Sequence, residues 1–458
     1  MKNILRITLL FSSLYLFLIS STNAQVNFES FSSFEKMLSQ AQKDNKLVFV
    51  QVESKDCGQC NDVAQKGLSG TALKEKFAVN FVSIFVKQDD ALYKQIIIKT
   101  DLSALSMGSL FFDADGYLLL KITSTTSSPM AYLEYADRAI SLSKNNVLKN
   151  LTTQYQKGEN DSQFLKRLIE EKNKADFDTY SLVDEFINSQ SMKQLGTLEN
   201  AKLILEQGLP LESKGRKLLY ALFPNKTIDS IFAAHSLQER VKINNKIITS
   251  TRKIAVMNSD KNLAYQLSNF ISKTYDNWEK GSFFSQSFLL KFYRDIIDTT
   301  SYLKTAESFA NYNLMALSID TLKRRNDGER NAMFEQKRKE QNGSSSMSFS
   351  YAPFYLKYAE ELNNTAYGVF TFTDDLEKLA KALKWSKRSM EISEALSMAE
   401  SRKQNPYFMD TYARLLHRLG KRGEAIETQT KAIEILRSRS ENTSNLENTL
   451  TKIKNGTL

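Results

Sequence analysis

The sequence predicts an α/β domain followed by a large all-α region of helical hairpins, repeat-like toward its end. Three observations carry this. From about residue 28 to 145 the apolar period switches between two and 3.6 every 10 to 20 residues or so. Beyond about residue 150 it stays helical. Five prolines and sixteen glycines in 458 residues are few, which favours long helices over a sheet-rich fold.

The first 24 residues read as a secretory signal peptide. Lys2 and Arg6 give a positive start, Ile7 to Ile19 an apolar core, and Thr22-Asn23-Ala24 a cleavage site. That core is shorter than the ~20 residues a membrane helix needs. No later stretch is apolar enough to span a bilayer, so the expectation is an exported protein with no integral membrane segment after cleavage, periplasmic or secreted.

Phe31, Phe34, Met37, Leu38 and Ala41 have helical spacing. Leu47 to Val52 reads as a buried strand. Val63, Ala64, Leu68 and Leu73 continue one helix that opens at Cys57-Gly58-Gln59-Cys60. Phe81 to Val86 is a second strand and Leu92 to Ile98 a short helix. Ser109 to Asp113 and Tyr117 to Ile122 form a hairpin around Ala114-Asp-Gly116. Met130 to Leu142 closes the domain. The order αβαβαββα implies a central, partly parallel sheet covered on both faces.

In the helical remainder, Phe164, Leu165, Leu168 and Leu182, Val183, Phe186, Ile187 show the period. Gln341 to Ser348 reads as a flexible stretch. Ala382 to Ile392 aligns with Ala425 to Ile435 at a shift of 43 residues. Tyr412, Ala413, Leu416, Leu419, Gly420, Ala425 and Ala432 follow a two-helix repeat pattern. Over Pro406 to Arg437 the chain resembles a tetratricopeptide unit, with a looser match over about 353 to 396; an ordinary helical hairpin is the other reading. The expected division is 1–24 signal peptide, 25–146 α/β domain, 147–340 helical region, 341–350 linker and 351–458 tetratricopeptide-like region.

The formal charge of +10 includes Lys2 and Arg6. The basic residues are spread along helix faces and not interleaved with aromatics, so nucleic acid is not an expected partner. Glycine-rich phosphate loops, His-Glu-x-x-His and Gly-x-Ser-x-Gly are absent. Trp278 and Trp385 read as core anchors.

Cys57 and Cys60 are the only cysteines. In an oxidising compartment the pair tends toward a disulfide unless something reduces it. A strand running into Cys-x-x-Cys at a helix start supplies an attacking and a resolving thiol. Cys57, near the unpaired N–H groups of the helix start, would have a lowered pKa. Cys60, one turn inside, would resolve. A zinc site would need two further ligands. His235 and His417, the only histidines, read as ordinary helix-face residues, so no metal or other cofactor is expected.

The strand before Cys57-Gly58-Gln59-Cys60, the Phe-Phe-Asp-Ala-Asp-Gly hairpin and the terminal helix make about 115 residues resemble the thioredoxin superfamily. The closest likeness is to its exported bacterial branch with a long helical tail. The resemblance implies Cys57 and Cys60 as the catalytic pair, and Gly58, Gln59, Met107 and Gly108 as substrate-binding positions. It implies cysteine-containing exported proteins as partners, or a protein or peptide bound by the helical region.

Three positions depart from the family pattern. Asp56 stands where active enzymes usually carry tryptophan, and a carboxylate there opposes thiolate formation. Gln51 replaces the buried acidic proton carrier. Met107 stands at the cis-proline position, and no proline lies between Ala91 and Ser128. Two functions follow: a thiol–disulfide oxidoreductase, or a non-enzymatic interaction protein that uses the domain as a scaffold and the helical array as a binding surface.

Overall fold

The computed structural model describes residues 25–54, 58–100, 107–340, 354–397 and 404–458. For 58–60, 99–100 and 336–340 the description is of the backbone alone. The expected signal peptide, residues 1–24, with Lys55 to Cys57 and the expected linker 341–350, lies outside the described residues. The chain is mostly helical, with one four-stranded mixed sheet near its N-terminal end and a large helical region after it. Among the described residues no helix is long and apolar enough to cross a membrane.

The sheet is built from β1 (Leu47–Glu53), β2 (Phe81–Lys87), β3 (Gly108–Phe112) and β4 (Leu118–Ile122), in the order β2-β1-β3-β4. β1 runs parallel to β2 and antiparallel to β3, and β3 runs antiparallel to β4. Alternate residues face opposite sides. Val48, Val50, Val52, Leu110 and Phe112 pack with helices α1 (Phe34–Asp44) and, further along the chain, Ala91–Thr100, through Phe34, Met37, Tyr93 and Ile96. Phe49, Phe111, Leu120 and Ile122 face the other way, onto Leu68, Leu73, Phe77 and Tyr132.

The helix after the cysteines ends sooner than its apolar spacing implies. It is two helices, α2 (Gly58–Gly67) and α3 (Thr71–Asn80), so the order is αβααβαββα. Gly67, the last residue of α2, is required by packing. A Cβ on Gly67 would sit 2.1 Å from the Thr126 carbonyl oxygen and 2.6 Å from the Tyr132 ring. Gly70 adopts φ 138°, open to glycine. The freed Leu68 carbonyl accepts the Val26 N–H at 3.0 Å, tying down the N-terminal segment. The next helices are α4 (Ala91–Thr100) and α5 (Pro129–Lys144), the latter started by the Ser128 side chain and Pro129.

The hairpin turn is held by Asp113, whose carboxylate accepts the N–H groups of Asp115 at 3.0 Å and Tyr117 at 2.7 Å. β4 begins one residue after Tyr117, and a bulge falls at Phe111/Phe112. The helices between residues 147 and 207 belong to the same compact unit. Lys121 N–H donates to the Ala175 carbonyl at 3.3 Å, Arg138 pairs with Asp176 at 2.8 Å, and Lys149 pairs with Asp113 and Asp115. The first compact unit reaches Gln207 and takes in Leu218–Ile228.

The second unit, Gly208–Lys217 with Asp229–Leu458, is wholly helical in its described residues. Toward its end, helices Leu356–Phe372 and Leu376–Leu396, and then Pro406–Arg418 and Arg422–Ser438, form successive packed pairs. The small residues Ala413, Ala425 and Ala432 are fully buried, and Gly420 at φ 77° makes the second turn. Trp385 is an anchor of this core, 4% exposed, but Trp278 is not: it is 80% exposed at the first position of helix Trp278–Asp295. There, just after the Asn277 cap, the side chain leaves the helix before its packed face begins. His235 is in a turn rather than on a helix face, because Ser236 and Glu239 form a capping box that starts a new helix after it.

Candidate functional site

The sequence places both cysteines where β1 hands over to α2. Cys57 lies outside the described residues. Gly58, Gln59 and Cys60 form the first turn of α2, with only their backbone described.

β1 and β2 run parallel, so their carboxyl ends lie together. Ser54 follows β1, and Asn61 follows Cys60. The Asn61 Oδ1 accepts the Ser54 N–H at 2.9 Å, and its Nδ2 donates to the Ser54 carbonyl at 2.9 Å. Glu53 stands opposite Lys87 across the strands, and Gln65 of α2 donates to its carboxylate at 3.4 Å. Burial holds the Glu53 carboxyl above its ordinary range, against the opposing influence of Lys87 and Gln65.

Gln51, one pleat further in, is buried in the aromatic layer of β1 and β3. Its Oε1 accepts from the Ser109 hydroxyl at 2.8 Å, and Ser109 itself is fully buried. The two residues are cross-strand partners. Burial pushes the neighbouring Tyr132 phenol up to about 12, against the influence of the Ser109 hydroxyl. None of the three changes charge near neutral pH. The polar spot is therefore fixed in one protonation state.

Met107 is half-buried at the entry to β3, and Gly108 is buried as its first residue. Gly108 has φ 133°, and a Cβ there would lie 2.0 Å from the Ile122 carbonyl oxygen. The glycine is thus required by the approach of β4, independently of any ligand. β1 residue Val52 pairs with Gly108, which brings the 107–108 backbone to the same end of the sheet as Ser54.

The structure therefore brings Gly108 and the start of α2 to one end of the sheet and leaves both histidines far along the chain, in the second unit. Among the described residues no group of three or more His, Cys, Asp or Glu is arranged to hold a metal ion. Asn61 and Ser109 were not singled out from sequence. Asn61 directly follows the cysteine motif, and Ser109 is the only hydroxyl in an otherwise apolar strand. No family model matches the chain, and no curated protein matches it in sequence.

Proposed function

We propose that this chain is an exported thiol–disulfide oxidoreductase of thioredoxin-like fold. Cys57 is the nucleophile and Cys60 the resolving thiol, and cysteine-containing exported proteins are the substrates. The observation that carries this is a Cys-x-x-Cys motif in the sequence whose Cys60 lies in the first turn of α2, the helix that follows the central strand β1. The β2-β1-β3-β4 order, with β1 parallel to β2, and helices on both faces support the fold. An exposed helix start stabilises an adjacent thiolate. The helical region, tetratricopeptide-like over its last hairpins, would hold the partner.

The test is equilibration of the protein with glutathione, with alkylation of free thiols. A potential between about −120 and −270 mV with one fast-reacting thiol supports exchange; one well below about −300 mV makes the pair a structural staple. Cys60→Ser should trap mixed disulfides with exported proteins, and Cys57→Ser should abolish exchange.

A second reading, a non-enzymatic interaction protein, is favoured by one observation. Gln51 is locked to Ser109 where a proton carrier would stand. On that reading a double Cys→Ser variant keeps its partners.

A further inference from the structure

We infer that the second unit carries a pH-sensitive catch at Glu361, firm while this carboxyl keeps its proton and loosened when it ionises. The inference stands apart from the chemistry at the cysteine pair and concerns the helical region alone. Glu361 is 7% exposed. Among the buried polar side chains of the described residues, it alone carries a carboxyl or a basic group.

The seam it occupies joins helices Trp278–Asp295 and Leu356–Phe372. Phe283 of the first stacks on Tyr358 of the second, with ring centroids 5.2 Å apart. One turn further along each helix come Ser287 and Glu361, both buried. Ser287, Lys291 and Arg294 follow one another on a single face of their helix. All three favour the charged carboxyl, but Lys291 and Arg294 are exposed. Among the described residues Glu361 has no ion-pair partner. Glu360, exposed on the same helix, opposes the charge.

The other elements packed on Leu356–Phe372 bring no counter-charge to this turn. Helix Thr299–Phe309 supplies the Tyr302 phenol, which donates to the Thr365 carbonyl at 3.4 Å. The buried residues of Ala310–Leu314 and of Leu376–Leu396 are all uncharged. Arg414 and Arg418 of Pro406–Arg418 lie over Tyr367 and Phe370, further along the helix. One turn before Glu361, Tyr358 donates at 2.8 Å to Glu279, a carboxylate already paired with Arg325.

A carboxylate out of water is costly unless a cation or several donors meet it. Burial therefore holds the Glu361 carboxyl above its ordinary 4.5, against Lys291, Ser287 and Arg294. In the unfolded chain the group returns to its ordinary range. The stabilisation is complete below that unfolded value and is lost as pH rises through the folded one. Each pH unit between the two lowers the folding constant by about tenfold. The charge that then appears is relieved by parting the two helices or admitting water to the seam.

The experiment follows urea unfolding of the full chain by tryptophan fluorescence, since Trp278 and Trp385 both lie in this unit. Wild type is compared with Glu361→Gln, which keeps the shape of the neutral acid and does not ionise. The ratio of the two folding constants, wild type over variant, should fall by about threefold or more between about pH 5 and about pH 8. A smaller change overturns the catch, because every other titrating group is common to both chains. Should Glu361→Gln not fold, Lys291→Ala decides the matter. Without that cation the proton stays on to higher pH, so stability should fall further than in wild type over the same range. An equal or smaller fall overturns the catch.

Discussion

Gly108→Ala tests the structural claim that β3 and β4 meet too closely for any side chain at the entry to β3. Two penalties add. The residue must hold φ 133°, a region that L-residues avoid at a cost of about 1–3 kcal/mol. Its Cβ must also clear the Ile122 carbonyl oxygen, 2.0 Å away, and Thr123 Cα at 3.2 Å. An ordinary carbon–oxygen contact is longer than 3 Å or so, so the backbone of one strand must shift by about 1 Å. That movement weakens a ladder hydrogen bond worth about 1 kcal/mol. The sum is about 3 kcal/mol for the first unit.

The two tryptophans make the assay selective. Trp278 and Trp385 both lie in the second unit, and the first unit has none. Tryptophan fluorescence therefore follows the second unit, while far-ultraviolet circular dichroism follows both. With a urea slope of about 2 kcal/mol per molar for a body of this size, the first unit's midpoint should fall by about 1.5 M. Circular dichroism should become biphasic while the fluorescence midpoint stays put. A dichroism curve for Gly108→Ala that superimposes on wild type within about 0.3 M would refute the close approach.

In the second unit, Gly368→Ala should lower the fluorescence midpoint, because a Cβ there would lie 1.9 Å from the hydroxyl of Tyr302, a side chain itself buried at 3% exposure. Overpacking of this kind costs about 1–3 kcal/mol. Asp298 caps helix Thr299–Phe309 by accepting the Ser301 N–H at 3.0 Å and pairs with Lys261, and these partners hold its carboxyl down at about 2 against an ordinary 3.8. A lowered carboxyl stabilises the fold above its unfolded value and loses that stabilisation as pH falls through its folded value. Asp298→Ala should therefore cost about 1 kcal/mol near neutral pH, the usual worth of a cap. In urea titrations the gap to wild type should narrow between about pH 4 and pH 2; a constant gap would rule out the ionised cap.

The strands were legible in sequence because β-branched and aromatic runs ended at unmistakable turn residues. Leu47 to Val52 and Phe81 to Val86 each fall one residue short of the observed strand. The Asp-Gly hairpin was equally plain, since Asp113 and Gly116 are needed for the turn whatever surrounds it. The break between α2 and α3 was not. Val63, Ala64, Leu68 and Leu73 keep helical spacing across it, and the contacts of Thr126 and Tyr132, remote in sequence, that require glycine at residue 67 arise only in the fold. Trp278 misled because hydrophobicity says nothing about which side of a helix cap faces the core. His235 misled differently: the Ser236–Glu239 capping box was readable and marks the boundary. At the candidate site, the cysteine spacing was visible at once, but the Asn61 bonds to Ser54 exist only once the end of β1 and the start of α2 lie together. The same holds for Gln51 and Ser109, which meet only because β1 and β3 pair in this register.

The Gln51–Ser109 pair bears on how chemistry at the start of α2 could run. A carboxylic acid at residue 51 would enter a layer formed by Phe49, Phe111 and Tyr132, where desolvation would hold it neutral well above its ordinary range. Such a group exchanges protons, but it destabilises the fold once ionised. An amide bonded to a buried hydroxyl meets the same polar requirement at no pH-dependent cost. The layer is therefore built for permanence. On the oxidoreductase reading, the proton lost by the resolving thiol must leave at the carboxyl end of the sheet rather than through its interior. Glu53 is the titratable side chain of β1 at that end, on the face that carries α2, bonded to Gln65 and raised by burial. The interaction reading needs no such exit, and for it the amide is simply the more stable choice. The two readings thus part on whether the carboxyl end of β1 carries proton traffic, and not on the fold they share.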